Sequence, residues 1–168
     1  MNVCRLHTEN SVVKRQRGFS LIELMIAIAI LGIMATLTSY SWNRYVNNAN
    51  LRTAARALES DLFLIKERAV SEQVNYRISL NVGANSYTID QWNSASSAYA
   101  TIQSKTPSTF GSGCSLLDTT FGSAQIIFQP RGTLGAGTGR IRLTNSRNSI
   151  ATITVNITGR TYVQFAMQ

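Results

Sequence analysis

From Phe19 to Leu37 every position is apolar or small except Glu23. A run of that length matches one membrane-spanning helix. The pattern then changes period. Leu51, Ala55, Leu58, Leu62, Ile65 and Ala69 alternate spacings of four and three, one face of a helix, while Arg52, Arg56, Glu59, Lys66 and Glu67 occupy other faces. Neither Gly nor Pro interrupts residues 33–82, so the pattern predicts one continuous helix of about fifty residues, despite the poor helix formers Asn and Ser between residues 39 and 50. Between the two halves, Tyr40, Trp42, Arg44 and Tyr45 read as the belt with which such a helix leaves a bilayer.

Beyond the helix the period is two. Val74, Tyr76, Ile78 and Leu80 alternate with polar residues, and Gly83-Ala84-Asn85 turns the chain into Ser86–Trp92, a predicted hairpin. Residues 93–120 are rich in Ser, Thr, Ala and Gly and read mostly as loop. Strands follow at 124–129, 140–144, 150–157 and 161–165, joined by short turns, which implies antiparallel pairing packed on the striped helix. The fold class is therefore α+β.

Glu23 sits badly in an apolar run. A carboxylate costs about 2.5–3.5 kcal/mol at the centre of a bilayer and less toward its edge, so it needs a partner. Its surroundings carry a resemblance: Lys14-Arg15-Gln16-Arg17-Gly18, then Phe19-Ser20-Leu21-Ile22-Glu23-Leu24, resembles the class III signal of type IV pilins and type II secretion pseudopilins. An ordinary secretory signal places its small-residue cleavage site after the apolar core, whereas here Ala27 and Ala29 lie inside it. The resemblance implies that prepilin peptidase cuts between Gly18 and Phe19 and methylates the new Phe19 amine. It further implies that Glu23, fifth in the mature chain, pairs with the terminal amine of a neighbouring subunit. The implied fold is the pilin-like lollipop, a long N-terminal helix with a membrane half and an amphipathic half packed on an antiparallel β-sheet head. Its implied parts are a cleaved leader (1–18), a transmembrane and filament-core helix (19–40), an amphipathic helix (41–72) and a periplasmic β-rich head (73–168).

Towards the C-terminus, Phe128-Gln129-Pro130-Arg131-Gly132, a Gly-rich loop, Arg140-Ile141-Arg142-Leu143 and Ile157-Thr158-Gly159-Arg160 resemble the GspH/FimT group of minor pilins. That resemblance implies a minor type IV pilin in pilus assembly, held in the bacterial inner membrane by one span. Its partners are then prepilin peptidase, other pilins and the membrane. A pseudopilin of a type II secretion piston is the alternative, and a DNA-binding module for natural transformation a third reading. The DNA-binding members of the group carry Gly-Arg-x-Arg; here Gly159-Arg160-Thr161-Tyr162 matches only the first Arg.

Charge bears on the third reading. The chain has sixteen basic and eight acidic residues; removing residues 1–18 leaves twelve and seven, a net +5. From Gly113 onward there are five Arg and only Asp118, which suggests a polyanionic partner or simply a soluble surface. Arg140 and Arg142, two apart on a predicted strand, should share a face opposite Ile141 and Leu143; with Arg160 they are the candidate phosphate contacts. The remaining chemistry is sparse. His7 and Cys4 fall in the leader, leaving Cys114 as a lone, semi-buried loop thiol and no histidine for a metal or a nucleophile relay. Gly135-Ala136-Gly137-Thr138-Gly139 precedes a strand and lacks the Lys-Ser/Thr of a phosphate loop. No catalytic residue, metal or cofactor is expected.

Overall fold

A computed structural model describes residues 18–135 and 137–168, with side chains at all of these except 37–41. The expected leader, Gly18 apart, and the Tyr40 side chain of the expected belt lie outside the described residues.

One helix, α1 (Leu21–Glu72), opens the described chain and runs for 52 residues. The chain divides into two compact units within it, Met1–Ser39 and Tyr40–Gln168. In the first unit the large apolar side chains are exposed all round the helix, from 51% at Ile30 to 77% at Leu21. In the second, the six residues of the predicted stripe are each at most 1% exposed, as is Ala54. The helix stops where Gln73 turns into the left-handed region (φ 56°) and its Nε2 donates to the Val70 carbonyl at 2.6 Å, satisfying one of the acceptors a helix end leaves open.

The strands are β1 (Tyr76–Asn81), β2 (Ser86–Asn93), β3 (Ala98–Lys105), β4 (Cys114–Thr119), β5 (Gln125–Phe128), β6 (Gly139–Asn145), β7 (Ile150–Val155) and β8 (Thr161–Ala166), with a one-turn helix, α2 (Pro107–Phe110), between β3 and β4. They form two four-stranded antiparallel sheets, β3-β2-β1-β5 and β4-β6-β7-β8. Two sheets arise because β5 returns to the free edge of β1 while β4 pairs with β6, so the chain changes sheet three times. The alternation does what the sequence predicts: Tyr76, Ile78, Ile126 and Phe128 of the first sheet and Ile141, Leu143, Ile153 and Val155 of the second are at most 1% exposed and share one core with the helix stripe.

Each flank of the helix is tied to one sheet. Towards the second sheet, Arg52 lies over the Phe165 ring (5.9 Å), Thr161 donates to Glu59 (3.4 Å), and Asn48 Nδ2 donates to the Gln168 carbonyl (3.3 Å). Towards the first, Lys105 Nζ donates to both oxygens of Asp61 (2.7 and 2.9 Å), Tyr87 donates to the same carboxylate (2.7 Å), and Tyr76 and Gln91 donate to Glu72 (2.5 and 2.8 Å). Burial and the Glu72 carboxylate push the Tyr76 hydroxyl up to about 12. The sheets are joined at Asn85, in the left-handed turn between β1 and β2 (φ 49°): its Nδ2 donates to the Cys114 carbonyl (3.3 Å) and its Oδ1 accepts from the Leu116 amide (2.8 Å). One side-chain amide thus does the work of a paired strand along the edge of β4.

Two expectations are corrected. Residues 93–120 are not mostly loop, since they hold β3, α2 and β4. β3 escaped notice because none of its residues is buried, so no alternation marks it. Cys114 is not a semi-buried loop residue: it opens β4, is 2% exposed, and burial pushes its thiol pKa up.

Candidate functional site

The segment that the sequence marks for processing lies just ahead of α1. Gly18, Phe19 and Ser20 have no regular structure and are exposed, Phe19 by 82%. A Cβ built on Gly18 meets nothing within 4 Å among the described residues. Among the described residues nothing in the packing therefore requires glycine at 18. The helix starts three residues later, at Leu21, with the Leu24 amide donating to the Ser20 carbonyl at 3.2 Å.

Glu23 stands in the first turn of α1, where the partial positive charge of a helix N-terminus favours a carboxylate. It is exposed, and among the described residues no cation pairs with it. Around it Leu21, Ile22, Leu24 and Met25 are each more than half exposed. The result is an apolar rod carrying one negative charge near its end. Among the described residues no helix is long and apolar enough to cross a membrane; the helical part of the apolar run with described side chains covers residues 21–36. In the sequence it continues through Leu37.

The candidate basic residues separate in space. Arg140 and Arg142 do share the outer face of the second sheet, opposite the buried Ile141 and Leu143. Arg142, however, grips Asp118 with Nε on Oδ1 (2.7 Å) and a second nitrogen on Oδ2. These hydrogen bonds hold the Asp118 carboxyl below the usual carboxylate range. Arg140 lies in one row with Thr154 and Tyr162. Arg160 lies outside that row, in the turn between β7 and β8, where its amide donates to Asn156 Oδ1 (2.9 Å). Gly159 beside it has φ 69°, and a Cβ there would come within 2.6 Å of the Gly132 carbonyl, so packing alone demands this glycine. The two C-terminal motifs therefore meet each other: Gly132 and Gly159 both lie against the stem of Lys66 on α1. Sequence reading could not find that junction, because its three parts are far apart in the chain. Among the described residues there is no group of three His, Cys, Asp or Glu side chains able to hold a metal.

Comparisons with known proteins agree with this geometry. Residues 13–39 match the model of the prokaryotic N-terminal methylation motif, and residues 54–159, well over half the chain, match that of the type II transport protein GspH. No curated protein matches by sequence. Among solved structures, the fold resembles the minor pseudopilin EpsH from the type 2 secretion system of Vibrio cholerae, at TM-score 0.58 and 14% identity over 69% of this chain and 97% of that one. It also resembles the type IV minor pilin FimU of Pseudomonas aeruginosa, at TM-score 0.54 and 16% identity over 71% and 92%. A long helix packed on two antiparallel sheets behind a methylation motif is thus a pilin-type architecture, and the chain belongs to the GspH family within the type IV pilin superfamily.

Proposed function

We propose that this chain is a minor, structural subunit of a pilin-like filament. The observation that carries the reading is the helix over residues 21–36, apolar and exposed on every side, with Glu23 as its single charge. Such a surface is stable only in lipid or among other apolar helices. A carboxylate inside either environment needs a cation. Cleavage between Gly18 and Phe19 by prepilin peptidase creates one, the Phe19 amine, which stays protonated after methylation and meets Glu23 of a neighbouring subunit. Before assembly, residues 19–40 hold the chain in the inner membrane as a single span. The basic residues at 14, 15 and 17 stay on the cytoplasmic side, and the amphipathic helix (41–72) and head (73–168) stand in the periplasm. After assembly the chain is part of a pilus or a pseudopilus.

Within this reading the chain serves a type IV pilus, as its fold-mate FimU is described as doing. A place in a type II secretion pseudopilus is the second reading, favoured by the GspH family match and the likeness to EpsH. Deleting the gene separates them: loss of surface pili supports the first, loss of protein export with pili intact the second. DNA binding through Arg140, Arg142 and Arg160 gains no support from the geometry, because Asp118 occupies Arg142 and Arg160 lies outside the row of Arg140. The shared step is tested by mass spectrometry of the chain from its own cells. The native chain should begin at N-methylated Phe19 and Gly18→Arg should keep its full length; equal masses for both overturn the reading.

A further inference from the structure

The least buried strand of the head is also one of its most firmly held. β3 gives no side chain to the core; six of its eight residues are exposed and the other two only half-buried. Yet Thr101 Oγ1 donates to Asp90 Oδ1 at 2.8 Å, and Tyr99 packs edge-on to Trp92 at 5.1 Å. Arg77 lies over the Tyr99 ring at 4.1 Å while bonded to the same Asp90, and Lys105 is clamped by Asp61. Asp90 is itself 2% exposed and accepts from Arg77, Ser79 and Thr101. A buried carboxylate and a cation–π contact thus position a strand that adds no apolar burial.

What β3 does present is a free backbone edge. It lies at the end of its sheet, paired only with β2. The Trp92 amide donates to Asn75, so by antiparallel alternation Gln91 bonds Ala100, and Tyr99, Thr101 and Ser104 turn their N–H and C=O groups away from β2. No partner for these groups occurs among the described residues. Two other edges are attended to: the Gly135 amide bonds Ile127 and Leu134 bridges Phe128 along β5, and Asn85 covers β4, while β8 touches α1 through the side chains of Thr161 and Phe165. Exposed edges are ordinarily blunted by charge, proline or a bulge. Residues 91–104 carry no charge and no proline, and only the bulge at Ile102 interrupts the strand, leaving that side chain 48% exposed.

We propose that the β3 edge receives an extended, uncharged strand of a neighbouring subunit, which joins the first sheet by backbone pairing. Charge selects this occupant, since the cations nearest the edge, Arg77 and Lys105, are already neutralised by Asp90 and Asp61. Area argues against a free dimer: eight residues of edge offer a strip of about 26 Å by 10 Å, far below the ~800 Å² per partner of a stable complex. Pairing therefore depends on a neighbour brought close by other contacts, and in this it rests on the filament reading above.

The test is amide hydrogen exchange on the full chain, in detergent micelles and in assemblies recovered from cells, with helix 21–36 and the outward amides of Tyr99, Thr101 and Ser104 followed together. Slowing of both on assembly, by about tenfold at the three outward amides, is the expected result. Slowing of the helix alone overturns the edge proposal and leaves the filament reading standing. No slowing of either overturns both. Protection of the outward Tyr99, Thr101 and Ser104 amides already in micelles overturns the neighbour in favour of a second copy. A Ser104→Pro variant removes one outward N–H without touching the β2 ladder. It should melt like the native chain and enter assemblies about tenfold less; undiminished entry overturns the proposal.

Discussion

Leu24 and Leu58 are the same residue in the same helix, yet one is 58% exposed and the other 1%. The difference is what each half of α1 finds within its own chain. Around Leu58 the polar residues are gathered on the outer faces and the stripe meets two sheets of matching alternation, so burial is completed inside the subunit. Around Leu24 the described residues offer no polar face to turn outward. One continuous helix thus yields a folding element in one half and, on the reading proposed above, an assembly element in the other, decided by side-chain periodicity.

The largest effect should separate the halves directly. Leu58→Ala removes a fully buried side chain and should cost about 2–5 kcal/mol of head stability, measured by thermal or urea melting of the full chain in detergent. Leu24→Ala should leave that melting unchanged and instead weaken recovery in assemblies. A head destabilised equally by both would break the contrast. Next comes Asp61→Ala, which strands Lys105 and the Tyr87 hydroxyl between helix and first sheet. Removing one partner of a part-buried charge pair should cost about 2–3 kcal/mol, and Asp61→Asn, which keeps an acceptor for Tyr87, should recover part of it in the same melts.

The smallest effect is acid-dependent. Burial pushes the Asp90 carboxyl up, but hydrogen bonds from Thr101, Arg77 and Ser79 and the Arg77 charge outweigh it and hold the group below its ordinary value. A depressed folded value means that the ionised form is bound more tightly by the fold. Its stabilisation is complete above the unfolded carboxylate value of about 3.9 and is lost as pH falls through the folded one. Melting should therefore drop below about pH 4, and drop less in Asp90→Asn. An identical acid profile in both would show that the pair holding β3 contributes nothing.

Legibility in the sequence tracks the same physics. The helix stripe and the strands β1, β2, β5, β6, β7 and β8 announce themselves because each alternates what it buries with what it shows. β3 could not be read, for its role is carried by backbone groups, and every residue contributes those alike. The processing signal was legible because Gly18, Phe19 and Glu23 stand at fixed offsets before an apolar run. The basic candidates were legible only as charges: which of them Asp118 would occupy depends on β4 lying beside β6, and no local pattern encodes that pairing.

One tie across the seam between the two sheets is Asn85, and a primary amide is among the less durable of side chains. Deamidation there would exchange the donor now facing the Cys114 carbonyl for an oxygen, setting acceptor against acceptor at the point where the halves of the head are stitched together. Deamidation at this position would therefore set a chemical clock on how long the head keeps its shape.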